Sequence, residues 1–173
     1  MLKWELLGKR PGSSGWVTVS TATYRMPDGS EAEWDVIEGS DIVELVALTT
    51  DDEVILVRQF RPGPGVVLNE LPGGIVDPGE SPAGAAAREL LEETGYEGDL
   101  RVFGYCFRGS AEVRRQWLAV ATGCRKVTEP APGALEFLEV VLMGVAEFRE
   151  HLRTGMLTDT GAAYRGLEEL ERL

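Results

Sequence analysis

"GGIVDPGESPAGAAARELLEETGY", residues 73–96, crowds Glu80, Glu89, Glu92 and Glu93 into one short stretch. Ser81 is a good N-cap, Pro82 suits the first helical position, and Gly95 is placed to end the helix. On that helix Glu89, Glu92 and Glu93 fall at i, i+3 and i+4 and share a face, where like charges repel. Arg88 stands four residues before Glu92 and can hold it by an ion pair. Ala85, Ala86 and Leu90 supply an apolar face to pack on a sheet. Glu80 sits just before the helix, where the N-terminal dipole favours an anion. Gly73 and Gly74 approach without side chains and leave a backbone carbonyl free to ligate. Clustered glutamates usually mean a solvated acidic face. The competing reading is a cage of oxygen ligands for one or more Mg²⁺ ions, whose charge offsets the repulsion.

The remaining composition narrows the chemistry. At 173 residues the chain suits one domain with a sizeable core. Its 43% hydrophobic and 27% charged residues are ordinary for a folded protein. A net charge of −12 argues against a nucleic-acid partner, which calls for a basic footprint. The opening "MLKWELLGKRPGSSGW" has no apolar run long enough for a signal peptide, and no later run approaches a membrane span. A cytoplasmic protein with no membrane partner is therefore expected. Cys106 and Cys124 make neither a disulfide framework nor a CxxC pair. With His151 the single histidine, imidazole-ligated metals and Ser-His-Asp triads are nearly excluded. Any metal would be held by carboxylates, which points to Mg²⁺, with Mn²⁺ as substitute.

Working outward, "GWVTVSTATYRMPDGSEAEWDVIE" reads as two strands joined at Pro27-Asp28-Gly29. "DIVELVALT" and "EVILVRQF" follow as apolar strands around the polar turn Thr50-Asp51-Asp52. "RPGPG" is a stiff loop, and "VVLNEL" runs into Gly73-Gly74. After the helix come strands near "LRVFGYCF", "RQWLAVAT" and "LEFLEVVLM", then helices near "VAEFREHLRTG" and "TGAAYRGLEELERL". Strands interspersed with helices predict an α/β or α+β layered domain.

Spacing separates the two readings of the glutamates. Gly74, five residues, Glu80, seven residues, Arg88-Glu89, Leu90, any residue, Glu92-Glu93, any residue and Gly95 resemble, position for position, the box of the Nudix hydrolases. Seven fixed identities would coincide by chance roughly once in 10⁸ placements at ordinary residue usage. Tyr96 stands where the family carries an aliphatic residue. The resemblance implies a Nudix fold: a mixed β-sheet sandwiched between helices, here with an N-terminal antiparallel hairpin. It implies a hairpin extension over residues 1–40, for dimerisation and base binding, and a Nudix domain over 41–173. By the same resemblance Glu89 and Glu93 are the main metal ligands, with Glu92 accessory. Gly73 replaces a residue, often Ala, whose carbonyl binds metal.

"LVRQFRPGPGVVLNELPGGIVDPGE" further resembles the ADP-ribose/ADP-sugar pyrophosphatase branch of that family. There Arg61 matches an arginine that binds the diphosphate and Glu70 a glutamate near the substrate. The plainer reading of Arg61 is a solvated loop cation, although a forked guanidinium suits phosphate oxygens. "GALEFLEVVLM" resembles the segment carrying the catalytic-loop glutamate, and the match falls on Glu136, with Glu139 as the alternative. Trp16 and Trp34 match two tryptophans that sandwich a base across a domain-swapped homodimer; unaided, both read as cross-strand packing residues. "FRGSAEVRRQW" departs from the proline-containing loop of ADP-ribose hydrolases, leaving Arg108, Arg114 and Arg115 as phosphate contacts or solvated charges. The implied reaction is hydrolysis of a nucleotide-sugar diphosphate, with Glu136, Glu92 and Arg88 as the catalytic set. The alternatives are another Nudix pyrophosphatase, acting on GDP-mannose, a dinucleoside polyphosphate or a nucleoside triphosphate, or a non-catalytic ligand-sensing domain.

Overall fold

The computed structural model describes residues 3–14 and 17–173, without the side chain of Ser14. By its internal contacts the chain divides into two compact units. One comprises Met1–Asp41 with Cys106–Gln116, the other Ile42–Tyr105 with Trp117–Leu173.

In the first unit, the turn at Pro27-Asp28-Gly29 joins β2 (Thr18–Arg25) to β3 (Glu31–Glu38) in antiparallel register, from Thr18 opposite Glu38 to Arg25 opposite Glu31. Met26 N donates to the Ser30 carbonyl at 2.8 Å, and Gly29 takes φ 86°, which a residue without Cβ adopts freely. The expected hairpin gains a third strand, β1 (Glu5–Ser14), paired antiparallel with β2. Its sequence, ELLGKRPGSS, hides it. Gly8, Pro11 and Gly12 read as loop punctuation, and the pairing accommodates them through irregularities at Leu6/Gly8 and Pro11/Ser14. The Cys106–Gln116 segment joins this unit through Ile37, whose N–H donates to Ala111 O at 2.8 Å and whose carbonyl accepts from Val113 N at 3.1 Å.

The second unit is built on β4 (Ile42–Thr49) and β5 (Glu53–Arg61), joined by the predicted polar turn, where Asp52 N donates to Thr49 O at 3.2 Å. There follow β6 (Val66–Glu70), β7 (Gly73–Ile75), α1 (Pro82–Thr94), β8 (Tyr96–Phe107), β9 (Arg115–Lys126), β10 (Leu138–Gly144), α2 (Val145–Thr154) and α3 (Thr160–Glu169). Strand order in the sheet is β10-β5-β4-β9-β8, with β6 paired to β5 and β7 to β4. The strand expected over "LEFLEVVLM" begins only at Leu138. Leu135, Glu136 and Phe137 precede it in a turn that Glu136 N closes on Gly133 O at 2.9 Å.

β4 is apolar on both sides because both sides are covered. Val43, Leu45 and Ala47 pack in one cluster with Ala85, Ala86 and Leu90 of α1. Val46, which alternation turns to the opposite face, meets α3, where a Cβ added to Gly166 would lie 2.4 Å from its Cγ2. Helices thus cover both faces of the sheet, as predicted. Truncating Leu90 to Ala in this packing should cost about 2–5 kcal/mol. Among the described residues no helix is long and apolar enough to cross a membrane.

Candidate active site

α1 starts and stops where its sequence dictates. Ser81 accepts a hydrogen bond from Gly84 N at 3.0 Å, Pro82 opens the helix, and Gly95, at φ 77°, returns its N–H to Leu91 O at 2.8 Å. This fixes which face Glu89, Glu92 and Glu93 occupy. Arg88 gathers the acids around it. Its Nε and Nη2 each lie 3.1 Å from a Glu80 oxygen. Nη1 donates to Glu89 Oε1 at 2.8 Å and Glu92 Oε2 at 3.1 Å, and Nη2 also donates to the Ile75 carbonyl at 2.9 Å. The bond to Glu80 is the chief reason this guanidinium is held still more firmly protonated than usual. Glu80, in turn, is held below its usual carboxylate range by Arg88.

Two of the four box glutamates, Glu89 and Glu93, are buried. Glu93 receives the Gly73 N–H at 3.0 Å, and burial pushes its carboxyl up to about 8, with the charges of Glu89 and Glu136 adding to the effect. Burial likewise raises Glu89, against the opposing influence of Arg88. Gly74 makes room for Glu89, since an added Cβ would lie 2.3 Å from Glu89 Oε1. Gly73 is as tightly constrained. A Cβ there would meet Val43 O at 2.3 Å, so any side chain could enter only with a shift of β7.

β5 and β6 bring up the basic side. Their register sets Arg61 opposite Val66 and Val57 opposite Glu70, and Arg61 Nε is hydrogen-bonded to Glu70 Oε2. Glu70 is only 2% exposed, whereas the Arg61 side chain is 41% exposed. The Arg61 charge acts on Glu93, and that of Glu136 on both Glu89 and Glu93. One electrostatic neighbourhood therefore contains Arg61, Glu89, Glu93 and Glu136. Glu136 lies on the exposed 133–137 turn, its carboxylate accepting from Gly133 N at 2.7 Å. Glu139 instead sits opposite Arg58 in the β10–β5 register.

The donor set suits a hard divalent cation. Two buried carboxylates with raised proton affinity, a third beside them and a side-chain-free backbone supply oxygen ligands and excess negative charge. Among the described residues no three carboxylate, thiolate or imidazole groups already converge on one point. Arg88 and the Gly73 N–H engage the oxygens instead.

The family profile described as the NUDIX domain matches residues 41–160, more than half of the chain and all of this site. The chain belongs to the Nudix family. Among its Nudix relatives, an ADP-sugar pyrophosphatase of Mus musculus is 40% identical over 96 residues, 49% of this chain and 44% of the relative. An ADP-ribose pyrophosphatase of Saccharomyces cerevisiae is 35% identical over 104 residues, 53% and 45% respectively. The matches thus span less than half the length of these relatives. A crystal structure of an ADP compounds hydrolase superposes with a TM-score of 0.79, over 99% of this chain and 97% of that one, at 22% identity. That likeness establishes the Nudix fold.

Trp16 lies outside the described residues. Trp34, on β3 of the other unit, is 48% exposed, with its ring 5.3 Å from that of Trp4. Arg114 bonds Glu112 Oε2 through two nitrogens, at 3.1 and 2.7 Å, and Arg115 pairs with Asp41 at 3.4 Å. Thr158 and His151 carried no sequence signal. Thr158 bonds Glu70 from 88 residues away, and His151 Nε2 lies 3.1 Å from the Asn69 carbonyl.

Proposed function

We propose that this Nudix protein hydrolyses the diphosphate bond of a nucleoside diphosphate linked to a sugar, ADP-ribose-like, releasing nucleoside monophosphate and sugar phosphate. The observation that carries this reading is the Arg88 knot, which draws Glu80, Glu89 and Glu92 together beside buried Glu93. Glu89, Glu92, Glu93 and the Gly73 carbonyl would hold Mg²⁺, or Mn²⁺ in its place. The bound ion would supply Lewis acidity toward phosphate oxygens and a lowered pKa for the attacking water. Arg88 orients the ligating carboxylates, much as outer partners orient metal ligands elsewhere.

Arg61 neutralises charge on the diphosphate, and Glu70 supports it at the substrate side. Glu136, on its exposed turn, accepts the proton of the attacking water. Trp16 and Trp34 stack the base, with the N-terminal strands exchanged in a homodimer that works in the cytoplasm. The similarity to the mouse and yeast pyrophosphatases supports this choice of substrate.

The test is a panel of nucleotide sugars, GDP-mannose and nucleoside triphosphates, with and without Mg²⁺, followed by chromatography of the products. Monophosphate release from ADP-ribose that depends on the metal is expected. Failure to cleave any diphosphate-linked substrate would overturn the reading. Sedimentation should show a dimer, and an active monomer would contradict the exchanged strands.

A further inference from the structure

We propose that Thr158 is a positioning residue for Arg61, acting through the buried carboxylate of Glu70. The proposal rests on the reading that Arg61 binds the diphosphate. Glu70 ends β6 and is 2% exposed, so its charge depends on protein partners rather than water. Its two oxygens are divided between two elements. Oε2 accepts from Arg61 Nε, while Oε1 accepts from the Thr158 hydroxyl and lies 3.4 Å from Thr158 N. The Thr158 hydroxyl also lies 2.9 Å from Asp159 Oδ2, but it has one proton to donate and the Glu70 oxygen is closer.

The consequence falls on Arg61. A long, 41% exposed side chain loses rotamer freedom whenever it grips a ligand. Anchoring Nε to a fixed carboxylate removes part of that loss beforehand and leaves the terminal nitrogens for a phosphate. Glu70 can serve as anchor only if it is itself held, and the turn before α3 holds it. The adjacent residue is secured from the same side of the sequence. Since a carbonyl can only accept, His151 carries a proton on Nε2 and donates it to Asn69 O, at 3.1 Å. The end of β6 is thus tied at successive residues to α2 and to the α2–α3 connection.

Four variants of the intact chain test this: Thr158→Val, which removes the hydroxyl at nearly constant shape, Thr158→Ser, which keeps it, Arg61→Gln, and Thr158→Val combined with Arg61→Gln. Kinetics on ADP-ribose and calorimetric binding of inorganic pyrophosphate are measured alongside the melting temperature. Thr158→Val should raise KM and weaken pyrophosphate binding roughly five- to tenfold with a smaller change in kcat, and Thr158→Ser should restore both. On the Arg61→Gln background Thr158→Val should add nothing, because its route is gone. An unchanged KM with a lowered melting temperature, or a full additive loss on Arg61→Gln, would leave Thr158 a purely structural residue and overturn the proposal. Should Thr158→Val not fold, Thr158→Ala takes its place with the same expectations. If the wild type neither cleaves ADP-ribose nor binds pyrophosphate, the functional reading itself fails and takes this inference with it. An active wild type with a silent Thr158→Val sinks the inference alone.

Discussion

Glu93 accepts the Gly73 N–H at 3.0 Å, a bond that clips the last turn of α1 to the three-residue strand β7. The same bond is the main influence that opposes the rise in the Glu93 carboxyl's proton affinity on burial. A cation placed among these groups would reverse that rise, and the first two predictions exploit this.

Glu93→Gln keeps the side-chain shape and an oxygen to accept from Gly73, but removes a hard anionic ligand. Hydrolysis should fall by orders of magnitude, with circular dichroism unchanged. Mg²⁺ should raise the melting temperature of the wild type, as a ligand of the folded state must, and should leave the variant unmoved. Equal activity in the variant would sink the assignment of Glu93 as a ligand.

Without metal, stability should fall as pH rises. The folded-state pKa of Glu93, about 8, lies above its ordinary 4.5, so between those values the folded chain binds more protons than the unfolded chain. The stabilisation is complete below about pH 4.5 and is lost as pH climbs through about 8, an effect of a few kcal/mol at 1.36 kcal/mol per unit. Glu89 is raised in the same direction and adds to it. Melting curves in chelator from pH 5 to 9 should show the decline, and Glu93→Gln should flatten it. A rising curve over that range would refute the burial argument.

Gly74→Ala should cost activity rather than fold. Its Cβ would meet the Glu89 carboxylate at 2.3 Å, and that group is the far end of a flexible side chain that can move aside. A stability loss of about 1 kcal/mol or less is expected. Displacing a site carboxylate by about 1 Å can cost roughly 10²-fold in rate. Denaturant melts and kcat/KM measured on the same preparation separate the two, and an unchanged rate would show that Glu89 need not sit where it does.

Trp34→Ala should raise KM for the nucleotide roughly tenfold, since one base–aromatic stack contributes about 1–3 kcal/mol. Its half-exposed ring leaves less packing to lose than a buried tryptophan would. A large drop in melting temperature with an unaltered KM would return Trp34 to the role of strand packing against Trp4.

The box helix was legible residue by residue because its determinants are local. A cap, a proline, a terminal glycine and glutamates at i, i+3 and i+4 fix the helix, its ends and its acidic face within one stretch of chain. Alternating strands and helices gave a layered α/β or α+β domain, while the sheet sandwiched between helices was an implication of the Nudix resemblance that the structure explains. Apolar runs such as "DIVELVALT" are tolerable only where both faces are covered, as Val43 and Val46 show on opposite sides of β4. β1 escaped notice because its glycines and proline imitate a loop, and only pairing with β2 makes it a strand. Nor could the chain by itself say what Arg88 would hold. Its link to Glu92 follows from helical spacing, but those to Glu80 and the Ile75 carbonyl need β7 folded against α1. The tie from Thr158 to Glu70 spans 88 residues and has no periodicity to betray it. Local geometry is written in neighbouring residues. Which buried oxygen meets which distant donor is decided only when the sheet and its helices close, because burial then makes an unpaired polar group costly.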